Sequence, residues 1–352
     1  MTQSWTAHTR ATGWTCAAPA AEAMEFHKNL PEYAATPLLD ISALTAELGV
    51  GRVFAKDESN RLGLPAFKAL GASWAIHRAV SARNSSEPLT IVTATDGNHG
   101  RAVAKFSKTL GHRARIYTPA GVHPSAIQAI RDEGATVIEL SGDYDNAVAT
   151  AAASIDPATD VLVQDTSWPG YEEIPQWIVE GYATLFAEAD EQLRESGLSP
   201  DVVLVPTGVG SLLQAALAHY RSRYDGPAVV SVEPEAAACI PASLLAGEPV
   251  TVETGITVMA GLNCGTPSAL AWPYIANGLD GAVVISDAQD ITAGHDLAAA
   301  GIPVGPCGAS GLASLRVLSE NSDAVAHLGL GPDSVVLLII TEGSDANPLP
   351  TV

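Results

Sequence analysis

The sequence predicts an α/β protein whose parallel β-sheets are covered by helices on both faces. Strand-like and helix-like segments alternate through most of the chain, and this order requires crossovers that leave the strands parallel. The 352 residues, 47% hydrophobic and 16% charged, are enough for about two domains at roughly 150 residues each. Ligands of such sheets bind at the carboxyl ends of the strands, where we therefore look for a site.

The individual elements follow from composition and periodicity. Short β-branched or apolar runs mark the predicted strands, which are 91–95, 114–117, 136–140, 161–163, 202–206, 229–232, 282–285 and 335–341. Apolar residues at helical spacing mark the predicted helices, which are 66–80, 99–110, 124–133, 144–154, 174–196, 211–224, 288–300 and 311–319.

Charge and cysteine content narrow the class of protein. A formal charge of −21 argues against nucleic acid or an anionic membrane as a partner, since both need basic patches. No run of roughly 18 apolar residues predicts a membrane span, and no secretory signal is apparent. The cysteines have no metal-ligand spacing and are Cys16, Cys239, Cys264 and Cys307. We therefore expect a cytoplasmic enzyme without a metal; whether Cys239 and Cys264 pair stays open.

A glycine-rich turn follows one predicted strand and opens a helix. Its sequence, VPTGVGS at 205–211, lets the backbone turn tightly and point N–H groups at an anion, and the helix dipole adds favourable potential. A simple strand-to-helix turn would have the same composition. The turn has neither the lysine of a phosphate-binding P-loop nor the spacing of a dinucleotide fingerprint, so a phosphate site and a plain turn stay open as alternatives.

A second polar turn and one lysine complete the candidates. The turn TATDGNHG at 93–100 also ends a strand, and Asp96, Asn98 and His99 within it are each compatible with a capping or turn-stabilising role. Lys68, one of only five lysines, has apolar neighbours. Those neighbours would desolvate its ammonium group and lower its pKa, as a lysine that bonds a carbonyl group requires, although a solvated surface lysine is the common alternative.

Taken together, these motifs resemble those of the fold-type II pyridoxal-phosphate (PLP) enzymes, the tryptophan synthase β-like superfamily that includes threonine and serine dehydratases. Within it, the motifs look most like those of the diaminopropionate ammonia-lyases, over roughly residues 35–345. The matching segments are KDESNR at 56–61, AFKALG at 66–71, TDGNHGR at 95–101, QDTSW at 164–168, YEEIP at 171–175, GLNCG at 261–265 and TEG at 341–343.

The resemblance implies a role for each matching residue. Lys68 would bond the cofactor and then act as a base at Cα of the substrate. Asn98 would bond the phenolic oxygen, and Thr341 would face the pyridine nitrogen. The phosphate would be held by Gly208, Val209, Gly210 and Ser211.

In the lyase family, aspartates at the positions of Asp96 and Asp165 lie near the substrate, and related dehydratases usually carry serine where Asp96 stands. The resemblance implies that Asp96 acts as a second base on the face opposite Lys68 and that Asp165 binds the distal ammonium of a diamino acid. A helix cap for Asp96 and a turn for Asp165 are the structural alternatives.

The expected function is therefore PLP-dependent elimination of ammonia from 2,3-diaminopropionate or a close β-substituted amino acid, which gives pyruvate or the matching keto acid. A serine/threonine-type dehydratase, a β-replacement synthase and a catalytically silent ligand-binding homologue remain as alternatives. The resemblance also implies two parallel-rich α/β/α domains, a large one from 1–89 and 176–352 and a small mobile one inserted at 90–175. A homodimer is expected on the same ground.

Overall fold

The structure is a computed structural model that describes residues 4–83, 87–95, 97–223 and 225–350. Its strands are β1 Trp5–Ala7, β2 Leu38–Asp40, β3 Arg52–Asp57, β4 Thr90–Ala94, β5 Arg113–Thr118, β6 Thr136–Glu139, β7 Asp160–Leu162, β8 Val202–Pro206, β9 Ala228–Pro234, β10 Gly281–Ile285 and β11 Val335–Ile340. Its α-helices are α1 Ala21–Lys28, α2 Lys68–Arg83, α3 Asn98–Thr109, α4 Pro124–Asp132, α5 Tyr144–Ala153, α6 Glu173–Glu195, α7 Ser211–Tyr220, α8 Cys239–Ala246, α9 Trp272–Gly278, α10 Asp287–Ala299, α11 Pro306–Ser319 and α12 Ser322–Leu328.

The chain forms two compact units. The first comprises the described parts of Met1–Ala20, Ala35–Asn60 and Ala183–Val352; the second comprises those of Ala21–Ala34 and Arg61–Tyr182. The second unit therefore begins earlier than the predicted small domain at 90–175 and contains Lys68. The physical reason is helix packing, because α2 lies against α3, and such packing cannot be read from the chain order of strands and helices.

The first unit is built on a seven-stranded sheet in the order β1-β10-β9-β8-β11-β3-β2. Its five inner strands are parallel, whereas the two outer strands pair antiparallel with their neighbours. Strand β11 has the sequence VVLLII and is buried along its whole length, as expected of a parallel strand covered on both faces. The predicted parallel α/β architecture is confirmed in this unit.

Strand β3 was not predicted, and its burial depends on an ion pair. Lys56 within it is fully buried, and its Nζ donates to Glu188 Oε2 at 2.8 Å, to Thr36 O at 2.7 Å and to Gln192 Oε1 at 3.0 Å. The Glu188 side chain is only 1% exposed. A lysine inside a buried strand is stable only when its charge is matched in this way.

The second unit is built on a four-stranded sheet in the order β6-β5-β4-β7, with all strands parallel. Helix α2 lies very close to α6 at Gly181 and Tyr182. A Cβ on Gly71 would lie 2.5 Å from Tyr182 Cε1, and one on Gly181 would lie 2.5 Å from Leu70 O. Only glycine at both positions permits this approach, which fixes the first turn of α2 beside Tyr182.

The four cysteines all lie in the described ranges, and no disulfide joins any of them. The same ranges contain no helix that is long and apolar enough to span a membrane.

Candidate active site

Lys68 opens helix α2, and its ammonium group is held by an acidic partner and two rings. Nζ donates to Asp165 Oδ2 at 2.8 Å, with side-chain exposures of 24% and 11%. It also lies 5.4 Å from the ring centroid of Phe67 and 5.8 Å from that of Tyr182. Burial raises the pKa of Tyr182 to about 12, so that its hydroxyl remains protonated at neutral pH. The site thus stabilises a cation at this position by charge and by ring quadrupoles.

Gln164 orients Asp165 and was not singled out by sequence reasoning, which quoted it only within a motif. Its Oε1 accepts from Thr93 Oγ1 and Ala94 N, both at 2.9 Å. Its Nε2 donates to Tyr144 OH at 2.9 Å and to Asp165 Oδ1 at 3.3 Å. Because Gln164 engages Oδ1, the other carboxylate oxygen is the one that faces Lys68.

His99, on helix α3, lies beside Asp165. Its Nε2–H donates to the carbonyl of Val163 at 2.9 Å, which leaves the lone pair on Nδ1. Nδ1 is buried, has no hydrogen-bond partner among the described residues, and lies 3.9 Å from Asp165 Oδ2. Burial lowers the pKa of His99 and outweighs the opposite effect of the Asp165 charge and of the bond to Val163 O; the charge of Lys68 also lowers it. The ring is therefore neutral at physiological pH and presents an acceptor.

Asp165 keeps its charge in spite of its burial. Burial acts to raise the pKa of this carboxyl group, but the hydrogen-bonded ammonium of Lys68 outweighs it and holds the pKa well below its ordinary value. The prediction that Asp165 is more than a turn residue therefore gains a direct contact with Lys68, 97 positions away in sequence.

The turn before α3 is stabilised by Thr95. Its Oγ1 accepts from the N–H groups of Gly97 and Gly100, each at 3.0 Å. A Cβ on Gly100 would lie 2.1 Å from Thr95 Cγ2, so glycine is required there. Asn98 is the first residue of α3 and follows β4, the neighbour of the strand that precedes Asp165. The predicted site residue Asp96 lies outside the described residues, as does Tyr224, the predicted end of helix 211–224.

The glycine-rich turn of the first unit joins β8 to α7. Gly210 caps the helix with a φ of +101°, a conformation that favours glycine. A Cβ on Gly208 would lie 3.0 Å from Gly261 O. The Val209 carbonyl accepts from Ser268 N at 2.8 Å, and Ser211 opens the ten-residue helix. The turn and the helix N-terminus together can bind an anion.

Thr341 follows β11, which pairs with β8, and so lies at the same carboxyl edge of the sheet as the glycine-rich turn. Its side chain is 3% exposed, and its Oγ1 has no hydrogen-bond partner among the described residues. Such a hydroxyl is destabilising unless a ligand pairs with it.

The predicted site residues thus form two sets. In the second unit Lys68 and Asp165 form a hydrogen bond, and Asn98 lies at the start of α3, after strand β4. In the first unit the set at one sheet edge is Gly208, Val209, Gly210, Ser211 and Thr341.

Comparison with known proteins identifies related chains. The sequence model of the family described as "Pyridoxal-phosphate dependent enzyme" matches residues 30–342. The chain is 36% identical to the diaminopropionate ammonia-lyase of Salmonella typhimurium over 364 aligned positions, which cover 93% of this chain and 89% of that protein. It is 27% identical to the biosynthetic L-threonine dehydratase of Corynebacterium glutamicum, covering 89% of this chain and 68% of that one.

A solved structure resembles the whole chain. The crystal structure of diaminopropionate ammonia lyase from Escherichia coli, in complex with an aminoacrylate-PLP azomethine reaction intermediate, superimposes with a TM-score of 0.89 and 34% identity. The match covers 97% of this chain and 94% of that one. The resemblance inferred from the motifs and the expected fold-type II architecture are therefore confirmed.

Proposed function

The chain belongs to the family of pyridoxal-phosphate dependent enzymes, and from this premise we propose that it eliminates ammonia from 2,3-diaminopropionate or a close β-substituted amino acid. The products are pyruvate, or the matching keto acid, and ammonia. The observation that carries the proposal is the charged Asp165 beside Lys68, which gives the lysine a neighbour suited to a second amino group. The relatives with 36% identity, which are diaminopropionate ammonia-lyases, support it.

The residues fit the cofactor. Lys68 provides the primary amine for its aldehyde, and the turn of Gly208, Val209, Gly210 and Ser211 provides N–H groups and a helix N-terminus for its phosphate. The buried hydroxyl of Thr341, which has no hydrogen-bond partner in the described part of the chain, can donate to its ring nitrogen, and Asn98 can donate to its phenolic oxygen. When bound, PLP supplies an electron sink for the pair that remains when Cα loses its proton.

The chain's own residues then move protons and hold the substrate. Lys68 takes the proton from Cα, or Asp96 does so from the opposite face. Asp165 binds the distal ammonium through a charge-assisted hydrogen bond. The Cβ–N bond breaks and the amine leaves as ammonia; the aminoacrylate that is released hydrolyses to the keto acid and a second ammonia. Because Thr341 is a neutral hydroxyl rather than a carboxylate, it does not stabilise a protonated ring, and prompt loss of the β-group is favoured.

The test is a visible spectrum of the purified holoenzyme before and after addition of D- and L-2,3-diaminopropionate, with pyruvate assayed in the same sample. We expect the absorbance of the lysine-bound cofactor to shift and pyruvate to accumulate with at least one enantiomer. Lys68→Ala is the control and should lose both the lysine-bound absorbance and turnover. A folded, cofactor-loaded protein that forms no keto acid from any β-substituted amino acid would refute the proposal.

Dehydration of serine or threonine is the second candidate, because the chain also resembles a threonine dehydratase over 89% of its length. The charge of Asp165 favours an amine over a hydroxyl at the β-position. A kcat/KM for serine that exceeds the value for diaminopropionate would reverse the order of the two candidates.

We further propose a homodimer and a cytoplasmic location. Thiols in all four cysteines are compatible with a reducing compartment. Light scattering coupled to size-exclusion chromatography measures the mass, for which twice the chain's 36.2 kDa is expected, and cell fractionation tests the location.

A further inference from the structure

One acceptor binds the Lys68 ammonium group, and a second acceptor lies close to the first. Asp165 Oδ2 accepts from Nζ at 2.8 Å, while Nδ1 of His99 lies 3.9 Å from that same oxygen. The rings of Phe67 and Tyr182 lie 5.4 Å and 5.8 Å from Nζ. We call this arrangement of Asp165, His99, Phe67 and Tyr182 the ammonium pocket.

The orientation of both acceptors is fixed by buried contacts. The hydrogen bond from Gln164 Nε2 to Asp165 Oδ1, at 3.3 Å, leaves Oδ2 for the pocket. The hydrogen bond from His99 Nε2 to Val163 O, at 2.9 Å, places the lone pair on Nδ1. Nδ1 is a buried polar atom of a side chain that is 4% exposed, and it lacks a hydrogen-bond partner among the described residues. A buried acceptor of this kind is stable when a ligand donates to it.

We propose that His99 is a specificity-determining residue whose Nδ1, together with Asp165 Oδ2, binds the β-ammonium of the substrate. The inference deepens the proposed function and rests on it for the identity of the substrate. Lys68 must be a neutral amine to take the proton from Cα, so the charge of Asp165 is then available to the ammonium group of the substrate. His99 thus adds a second acceptor to the one assigned to Asp165.

The two acceptors favour an amine over a hydroxyl because the two groups differ in the number of hydrogen-bond donors. An ammonium group has three N–H donors and can bond both Asp165 Oδ2 and His99 Nδ1, whereas a hydroxyl has one and must leave an acceptor unsatisfied. A hydrogen bond with a charged partner changes affinity by roughly tenfold to a hundredfold. His99 should therefore contribute a factor of that size to the preference for a β-amine over a β-hydroxyl.

Two substitutions of His99 separate its two nitrogens. In His99→Gln the amide nitrogen replaces Nε2 and still donates to Val163 O, but no atom replaces the acceptor Nδ1. In His99→Asn the amide oxygen replaces Nδ1 as an acceptor, and the bond to Val163 O is lost. The Asn variant is therefore the matched control: it should be less stable but retain the specificity.

The probes are α-methyl-2,3-diaminopropionate and α-methylserine, which have no Cα proton and cannot be turned over. Their dissociation constants are read from the absorbance of the cofactor in the holoenzyme. We expect His99→Gln to lower the preference for the diamino probe at least about tenfold and His99→Asn to keep it within about threefold of wild type. An unchanged ratio in His99→Gln, or an equal loss in both variants, would overturn the proposal.

A measurement on the wild-type protein covers the case in which neither variant folds. In the ¹⁵N spectrum of histidine-labelled holoenzyme, which has nine histidines, the lone-pair nitrogen of one buried ring should move upfield with the diamino probe only. If no buried ring responds in this way, the assignment is contradicted. The turnover assay tests the proposed function on its own. A wild-type protein that makes no pyruvate would contradict that function, whatever effect the His99 variants have on the ratio of dissociation constants.

Discussion

Substitution of Lys56 by methionine is expected to lower the free energy of unfolding by about 3–5 kcal/mol, the usual effect of removing one partner of a buried ion pair. Lys56 is fully buried and Glu188 nearly so. After the substitution, Glu188 Oε2 still accepts from the N–H of Thr36 at 3.2 Å. The carbonyl of Thr36 and the side chain of Gln192 also lose the donor that Lys56 provides.

The assay is urea-induced unfolding of the full-length protein, followed by fluorescence and circular dichroism. Lys56→Met combined with Glu188→Leu removes both charges, so it should recover most of the loss. About 1–2 kcal/mol should remain for the hydrogen bonds that Lys56 donated to Thr36 O and Gln192 Oε1. Arg52→Ala is the control, because the Arg52–Asp40 pair is exposed and should contribute less than about 1 kcal/mol. A Lys56→Met protein within about 1 kcal/mol of wild type would refute the reasoning.

Three further predictions concern glycine and buried acid. Gly100→Ala places a methyl group 2.1 Å from Thr95 Cγ2, and a lower melting temperature by differential scanning calorimetry is expected. Gly210→Ala must adopt a φ of +101°, and titration of the apoprotein with PLP should give a higher Kd; an equal Kd would argue against this turn as the phosphate site. Burial and two nearby carboxylates raise the pKa of Asp290 to about 8, so the folded state holds a proton that the unfolded state releases above about pH 4. Its stabilising contribution is therefore lost as pH rises from about 4 to 8, and Asp290→Asn should make the midpoint of urea unfolding less sensitive to pH in that range.

The strands that periodicity predicts are those whose burial comes from apolar residues alone. Residues 202–206 were predicted and observed as a strand with the same bounds, and all five are buried. Strand β3 was missed because its sequence, RVFAKD, contains charged residues that a local pattern assigns to solvent. Its burial depends on Glu188, which lies 132 residues away in sequence.

The same limit applies to the site. The resemblance of the motifs supplied Lys68 and Asp165, but no local pattern predicts that their side chains meet. The role of Gln164 depends on two contacts from strand β4, one from helix α5 and one with the adjacent Asp165. The tautomer of His99 depends on one carbonyl after strand β7. Chain order predicts which connections share a sheet edge. Only the packing of side chains decides which polar atoms at that edge have hydrogen-bond partners.

The outer strand β1 of the seven-stranded sheet affects how the protein associates with itself in concentrated solution. Strand β1 is three residues long and pairs antiparallel with β10, whose five residues are entirely buried. The ring of Trp5 covers the face of Gly281 so closely that a Cβ there would lie 2.1 Å from it. Short outer strands of this kind offer few unpaired N–H and C=O groups to another chain. By pairing with β10, the segment Trp5–Ala7 covers an apolar strand edge. A chain that lacked this segment would expose the edge of β10, to which a strand of another chain could pair.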